Sequence, residues 1–283
     1  MTESAPAPAH ADTMMRNGAG GIKAPVTGAS RPSDRRPSLR RERALWRTGH
    51  RLVAGVDEVG RGAWAGPLTV GVVVVGEPLA SIPSGLRDSK LLSEARREEL
   101  FDPVRRWCAA WAVGHVQPAE CDALGMSAAL RLAAWRAFAA LPSDQLPDAV
   151  VLDGTFDYVS PPSHSTLFGG HPAVGGHPVL WAPPVVQTLV AADAVCASVS
   201  AASVLAKVSR DRLMRADAEC YPGFDFERNK GYPSPAHQRA LRGYGLTAIH
   251  RRSWAFTVSL PWAGGTHPRH DRSAPARTTP APG

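Results

Sequence analysis

The sequence predicts an α/β domain built on a mixed sheet, and three observations carry that expectation. Five strand-sized apolar segments punctuate the chain. Helix-length segments fill two of the four gaps, leaving the first two and the last two strands adjacent, so the order reads β-β-α-β-α-β-β-α and the sheet reads as mixed. Three strand candidates end in or near acidic residues, Asp57-Glu58, Asp153 and Asp193. Strand ends are where α/β sheets gather functional groups.

Each element has its own signal. Ser38 to Arg47 is a short helix candidate, with Leu39, Leu45 and Trp46 on its apolar side. Leu52 to Val56 is the first strand and leads into Asp57-Glu58 and a glycine-rich turn. Leu68 to Val75 is the second, apolar throughout, as expected of a strand covered on both faces. Ser93 is placed to cap a helix running to about Trp107, with Glu94 in its first turn. Ala110 to Val116 is the third strand. Pro118 to Leu141 reads as one long Ala-rich helix, with Leu124, Ala128, Leu132, Trp135 and Ala139 facing inward. Ala149 to Leu152 is the fourth strand, ending at Asp153. Residues 154–184 hold five Gly and six Pro and read as loop. Val185 to Val190 is the fifth strand. A long helix follows from Ala194 to about Glu219, where Val195, Val199, Ala202 and Ala206 form a face small enough to approach a sheet closely. Short helical pieces extend from Tyr221 to about Leu260.

Composition bounds the function. Hydrophobic residues are 44% of 283 and charged residues 20%, ordinary values for a globular chain with a real core. No apolar run approaches the roughly 20 residues of a membrane-spanning helix. Residues 1–21 lack the apolar stretch of a secretory signal. Cys108, Cys121, Cys196 and Cys220 form no C-x-x-C pair, which argues against a zinc ribbon and fits a reducing compartment. A cytoplasmic location and no membrane association are expected. The net charge of +7 sits at the ends: residues 1–50 carry nine Lys/Arg against four Asp/Glu, and residues 261–283 three Arg against one Asp. Both ends are rich in Ala, Pro, Gly, Ser and Arg, and lack spaced large apolar residues. The expected organisation is a disordered basic leader over 1–37, a folded domain over 38–262 and a disordered tail over 263–283. Such a leader either holds DNA non-specifically by counterion release or only keeps the chain soluble.

The carboxylates point to chemistry. Asp57, Glu58, Asp153 and Asp193 converging at one sheet edge would repel one another unless cations sat among them. Oxygen donors suit Mg²⁺ or Mn²⁺, and two such ions are a known device for in-line displacement at phosphorus. Singly, Asp153-Gly154 is also a plain turn signal and Asp193 a plausible helix cap. An adjacent acidic pair at the end of an apolar strand is harder to explain structurally. The loop Gly60-Arg61-Gly62-Ala63-Trp64-Ala65-Gly66-Pro67 is not a dinucleotide fingerprint. Its glycine spacing differs, and a strand rather than a helix follows it. Bare backbone and a guanidinium brought against a polar ligand is the better reading.

These residues resemble a known family. Val53 to Gly62 with Ala65-Gly66-Pro67, then Asp88-Ser89-Lys90, Leu152-Asp153-Gly154, the run from Asp193 to Asp211, Asn229-Lys230-Gly231-Tyr232-Pro233, and His250 to Trp254 occur in the order of the type 2 ribonucleases H. The resemblance implies a ribonuclease H-like fold: a mixed five-stranded sheet flanked by helices, with a C-terminal helical extension. It implies cleavage of RNA in RNA–DNA hybrids. It also implies incision 5′ of single ribonucleotides embedded in duplex DNA, leaving 3′-OH and 5′-phosphate. Two divalent ions, Mg²⁺ or Mn²⁺, would be held by Asp57, Glu58, Asp153 and Asp193 as catalytic carboxylates. Gly60, Arg61 and Gly62 match the loop that reads the 2′-hydroxyl, and Tyr232 matches a tyrosine set against the next sugar. Ser89 and Lys90 are implied phosphate contacts. The expected partner is nucleic acid, and the expected state a monomer.

The chain departs from the family pattern in places. The connection from Asp153 to Asp193 is long and carries His164, His171 and His177, for which exposed loop histidines are the commoner reading and metal ligation the rarer. It also carries Asp157, a competitor for the third carboxylate. Ala191 stands where a basic residue is frequent, and Asn229 where a His is frequent. The rival functions are another two-metal nuclease on the same fold, such as a junction resolvase or type 3 ribonuclease H, and a non-catalytic nucleic-acid-binding protein that kept the scaffold. Type 3 enzymes carry an extra N-terminal domain for which residues 1–37 are too short, and Gly60-Arg61-Gly62 favours type 2.

Overall fold

The computed structural model describes residues 36–161, 173–174, 177–178, 183 and 185–260. The leader up to residue 35, the tail from residue 261, His164 and His171 lie outside the described residues, and of His177 only the backbone is described.

Strand β1 (Leu52–Val59) pairs antiparallel with β2 (Leu68–Gly76), and β2 pairs antiparallel with β3 (Ala110–Val116). On its other side β1 runs parallel to β4 (Ala149–Asp153), which runs parallel to β7 (Val185–Leu189). The sheet order is therefore β3-β2-β1-β4-β7. Within the segment expected to be mostly loop, two short strands, β5 (Ala173–Val174) and β6 (His177–Pro178), pair antiparallel.

β1 runs three residues past its expected end. Its parallel pairing stops at Val56 opposite Leu152, while the antiparallel ladder continues, with Asp57 opposite Gly71 and Glu58 opposite Val70. The acidic pair thus lies within a strand, just where its β4 neighbour ends. Successive side chains of a strand point to opposite faces, so Asp57 and Glu58 straddle the sheet.

On the Asp57 face, helices α1 (Arg40–Arg47), α2 (Glu94–Trp107) and α5 (Ala197–Cys220) cover the sheet around Val53, Val73, Val151, Val199 and Leu205. α5 approaches so closely that a Cβ on Gly55 would fall on the backbone of Ser198 and Val199. All residues from Ala197 to Ala206 are consequently buried, more than the single face the sequence pattern marks. The start of α5 is satisfied by another element: Glu42 of α1, itself fully buried, accepts bonds from Ser198 N (2.9 Å) and Ser198 Oγ (2.7 Å). Ser38 joins the same junction, donating its N–H to Val195 O and accepting from Ala197 N. As expected, Ser93 caps α2 by accepting from Arg96 N.

The opposite face is covered by α3 (Pro118–Leu124) and α4 (Met126–Ala139). The single long helix expected here is broken at Gly125, which takes φ +74°. The break resets the helical phase. Ala129, Leu130, Ala133, Ala134, Ala137 and Phe138 face inward, whereas Leu124, Ala128 and Ala139 are exposed. Alanine offers little hydrophobic contrast between faces, so the periodicity misplaced the buried side.

The C-terminal extension consists of α6 (Phe226–Asn229), α7 (Pro235–Tyr244) and a single turn at Ala255–Ser259. Its own small core, Phe224, Phe226, Ala240 and Leu241, closes over Met214 of α5 and Ala65 of the glycine loop. No helix among the described residues is long and apolar enough to cross a membrane.

Candidate active site

The ends of β1 and β4 and the turn after β7 bring four carboxylates into electrostatic contact. Asp57 is nearly fully buried. Its pKa is pushed up to about 8, first by burial, against a hydrogen bond from Ser203, and further by the charges of Asp153, Glu58 and Asp193. Asp153 is raised as well, by burial and then by Asp193. Asp157 does not join them: its Oδ1 accepts from Val159 N and Ser160 N, both at 2.9 Å.

The turn after β7 is arranged to support this crowding. Ala191 sits at φ +56°, in the left-handed region costly for a residue with a Cβ. That conformation lets Ala192 N donate to Asp153 Oδ1 (2.7 Å) and places Asp193 beside it. Ala191 therefore shapes the turn and has no charge to offer.

Every carboxylate leans on a protein donor. Asp57 Oδ1 accepts from Glu58 N (2.8 Å). Glu58 Oε2 accepts from the Tyr158 hydroxyl (3.1 Å), and Glu58 Oε1 lies 3.5 Å from the Arg61 guanidinium. Asp193 Oδ2 accepts from Lys90 Nζ (3.0 Å). Burial pulls the Lys90 pKa down, but Asp193, Asp57 and Asp88 more than offset it, so Lys90 stays protonated. With their oxygens engaged in this way, no three acidic, His or Cys side chains among the described residues form a ready-made ligand shell. The donor set itself, all carboxylate oxygen and mutually repelling, is that of a hard divalent cation. A bound cation would offset both the burial and the repulsion that raise Asp57.

Ser89 is not where a phosphate contact would be. It is buried, and its hydroxyl shares a 2.8 Å hydrogen bond with Ser203, the same serine that bonds Asp57. Ser89 therefore supports Asp57 from behind. Lys90 is exposed along most of its length and does face outward.

The glycine loop and Tyr232 meet beside the acidic pair. Gly60 N donates to the Tyr232 hydroxyl at 3.0 Å. Gly60 has φ +87°, and a Cβ there would collide with Arg210 and the Pro67 carbonyl. Gly62 is different: it is exposed and a Cβ would meet nothing. Two buried arginines hold the loop. Arg210 of α5 donates to Pro67 O (2.8 Å), Lys230 O (2.8 Å) and Ala65 O (3.0 Å), and stands 5.4 Å from the Tyr232 ring. Arg251 donates to Arg61 O (3.0 Å) and Gly66 O (3.3 Å).

Ser203, Lys207 and Arg210 escaped sequence reasoning as site residues, although spacings of four and three put them on one face of α5. Lys207 donates to Asp211 Oδ1 (2.6 Å) and its Nζ lies 5.9 Å from the Tyr232 ring. Tyr158 had no signal at all.

A mixed sheet in this order, with carboxylates gathered at the ends of three adjacent strands, defines a nuclease of the ribonuclease H-like fold. The family model of Ribonuclease HII matches residues 54–257. Similar proteins include the ribonuclease HII of Streptomyces griseus, 50% identical over 217 residues (76% of this chain, 81% of that one). That of Streptomyces avermitilis is 46% identical over 231 residues (78% and 88%). Among solved structures, ribonuclease H2 from Pyrococcus horikoshii OT3 superposes with a TM-score of 0.57 at 29% identity, covering 74% of this chain and 96% of that one. The chain belongs to the ribonuclease HII family. It is a ribonuclease H, an endonuclease acting on nucleic acid.

Proposed function

We propose that this enzyme cleaves the RNA strand of RNA–DNA hybrids and incises duplex DNA on the 5′ side of single embedded ribonucleotides, leaving 3′-OH and 5′-phosphate. The observation that carries the reading is the 3.0 Å contact between Gly60 N and the Tyr232 hydroxyl next to Asp57-Glu58. It ties an aromatic ring to the bare loop that directly follows the acidic pair.

Asp57, Glu58, Asp153 and Asp193 are the residues to hold two divalent cations, Mg²⁺ or Mn²⁺, which supply Lewis-acid assistance for displacement at phosphorus. The chain's own residues do the rest. Ser203 and Glu58 N orient Asp57, Ala192 N orients Asp153, and Lys90 neutralises Asp193 while remaining exposed to a phosphate. Gly62 is unhindered, so its lack of a side chain serves the approach of a ligand rather than internal packing. A 2′-hydroxyl both donates and accepts, and is the group by which a site tells RNA from DNA. In this reading Arg61 and the backbone of Gly60 to Gly62 contact it, and Tyr232 abuts the following sugar.

The folded unit begins at about residue 38, where Ser38 is stitched to the start of α5, and ends near 262. The leader adds non-specific affinity for long DNA. Its removal should flatten the salt dependence of binding and spare cleavage of short substrates at low salt.

The test is a nicking assay on a duplex with one ribonucleotide, with Mg²⁺ or Mn²⁺, and end analysis of the products. A cut 5′ of the ribonucleotide is expected. Cleavage of pure hybrids alone would overturn the junction reading.

A further inference from the structure

Tyr158 lies in the long connection after Asp153, and neither packing nor the reading of the substrate accounts for its hydroxyl. The ring is buried, 2% exposed, in the apolar layer between the sheet and α4 with Leu152 and Val159. Phenylalanine would fill that space without the cost of burying a hydroxyl. The hydroxyl donates to Glu58 Oε2 at 3.1 Å.

The backbone around Tyr158 is held independently of Glu58. Asp157 folds the chain back by accepting from Val159 N and Ser160 N. From α4, Trp135 Nε1 donates to Val159 O (3.2 Å) and the Arg131 guanidinium donates to Ser160 O and, at 3.5 Å, to Asp157 O. Arg131 in turn lies 5.8 Å from the Trp135 ring. The order of support therefore runs from α4 to residues 157–160, and from there to Glu58. The other oxygen of Glu58 faces Arg61, an exposed and mobile-length side chain that would otherwise draw the carboxylate toward the glycine loop.

We propose that Tyr158 is a positioning residue for Glu58: anchored on α4, it pins Oε2 and so sets the rotamer from which Glu58 ligates a divalent cation. The proposal rests on Glu58 being a ligand, as in the function above. A hydrogen-bonded partner behind a ligating group commonly tunes metal affinity or activity by about 10–100-fold.

The experiment compares Tyr158→Phe, Glu58→Gln, the double variant and Arg131→Met with the full-length wild-type chain. Mn²⁺ alone is titrated into each by calorimetry without nucleic acid, thermal melts are recorded, and nicking kinetics are measured on a duplex with one ribonucleotide. Tyr158→Phe should fold, bind Mn²⁺ about tenfold more weakly, and lose kcat with KM for the duplex unchanged. In the Glu58→Gln background the same change should leave Mn²⁺ affinity as it is. Arg131→Met, which loosens the anchor without touching Tyr158, should weaken Mn²⁺ binding by a smaller factor, and decides the matter if Tyr158→Phe does not fold. Wild-type Mn²⁺ affinity in Tyr158→Phe, an equal loss in both backgrounds, or unchanged affinity in a loosened Arg131→Met would each overturn the proposal. A wild type that binds Mn²⁺ but leaves the duplex uncut overturns the functional reading, while the calorimetry still decides on Tyr158. A wild type that binds no Mn²⁺ overturns both.

Discussion

The two halves of the site are built on opposite physics. The carboxylate half stands on sheet ends, where burial first and then the like charge of Asp153, Glu58 and Asp193 push Asp57 up to about 8. The loop half is held between α5 and the C-terminal extension by two buried cations, Arg210 with three carbonyl acceptors and Arg251 with two, its Nε left without a partner among the described residues. The first half is a conflict that the protein alone leaves standing. In the second, Arg210 has an acceptor for each of its three nitrogens. Charge removal should therefore stabilise the first half and destabilise the second, although both substitutions impair function.

Asp57→Asn probes the carboxylate half most directly. Cleavage of a one-ribonucleotide duplex should fall by at least about a hundredfold, as expected for loss of one of the proposed cation ligands. Melting in the presence of a chelator should nonetheless rise by about 2–4 °C, as expected for about 1 kcal/mol of relieved repulsion in a domain of this size. Nicking rates and circular dichroism melts on the same preparations read both signs. Substantial activity at saturating Mg²⁺, or an unfolded variant, would show that the acidic half is structural.

Arg210→Met tests the opposite half. It removes three bonds at once and strands the carbonyls of Ala65, Pro67 and Lys230 in a buried place. A loss of about 3–5 kcal/mol is expected, the range for breaking a buried charged network by removing one member. Urea unfolding would measure it. A loss below about 1 kcal/mol would mean that the loop is held by its apolar contacts with Met214 and Phe226 instead.

The two halves also differed in how much the sequence disclosed. The acidic pair was legible because an apolar strand ending in Asp57-Glu58 is an unusual local pattern, and Ser93 was legible as a cap because capping is local. Tyr158 was hidden in a Gly/Pro-rich segment, and its role depends on a residue one hundred positions away. Ser89 is read with Lys90 as a phosphate contact on the strength of the resemblance alone, and only the packing of α5 shows that its hydroxyl turns inward to Ser203. Arg210 belongs to a recognisable run, yet its three acceptors come from two segments distant in sequence, residues 65–67 and Lys230. Local signals predict elements and caps. Contacts that cross elements had to be seen.

Acid should separate the halves as well. His237 Nδ1 lies 3.0 Å from the Tyr232 carbonyl and must donate to it, so its Nε2 accepts from His250 Nε2 (2.9 Å), while His250 Nδ1 accepts from Thr247 N. Both rings are thus neutral, with each nitrogen already committed. Burial lowers the pKa of His237, and lowers that of His250 to about 3, with His237 and Arg252 adding to the shift. A folded pKa below the unfolded value means that the unfolded chain binds more protons. The stability is then present above pH of about 6.5 and is lost as pH falls toward 3, by up to about 1.4 kcal/mol per pH unit for one such group. Denaturant melts from pH 7 to pH 4 should show this slope, and His250→Asn should flatten it. An unchanged slope in that variant would place the acid sensitivity elsewhere.

The smallest expected effect isolates the seam between the halves. Tyr232→Phe keeps the ring beside Arg210 and removes only the oxygen that accepts from Gly60 N. The ring can still abut a sugar, so binding of the duplex should change little. Gly60 N, largely shielded from water, loses its acceptor, while the bonds from Arg251 to Arg61 O and Gly66 O still tie the loop to the C-terminal extension. One neutral hydrogen bond is worth about 1 kcal/mol, or about fivefold in rate. The loss should fall on duplexes with a single ribonucleotide more than on those with four, because the single junction offers only one 2′-hydroxyl for the loop to find. Tyr232→Ala removes the ring too and should cost about 1–3 kcal/mol, in the range of an aromatic contact with nucleic acid. Matched nicking kinetics on the two duplexes separate the contributions of oxygen and ring. If Phe equals wild type while Ala is impaired, the ring alone reads the sugar and the bond to Gly60 is incidental. If Phe and Ala slow both duplexes equally, Tyr232 holds the extension together and reads nothing.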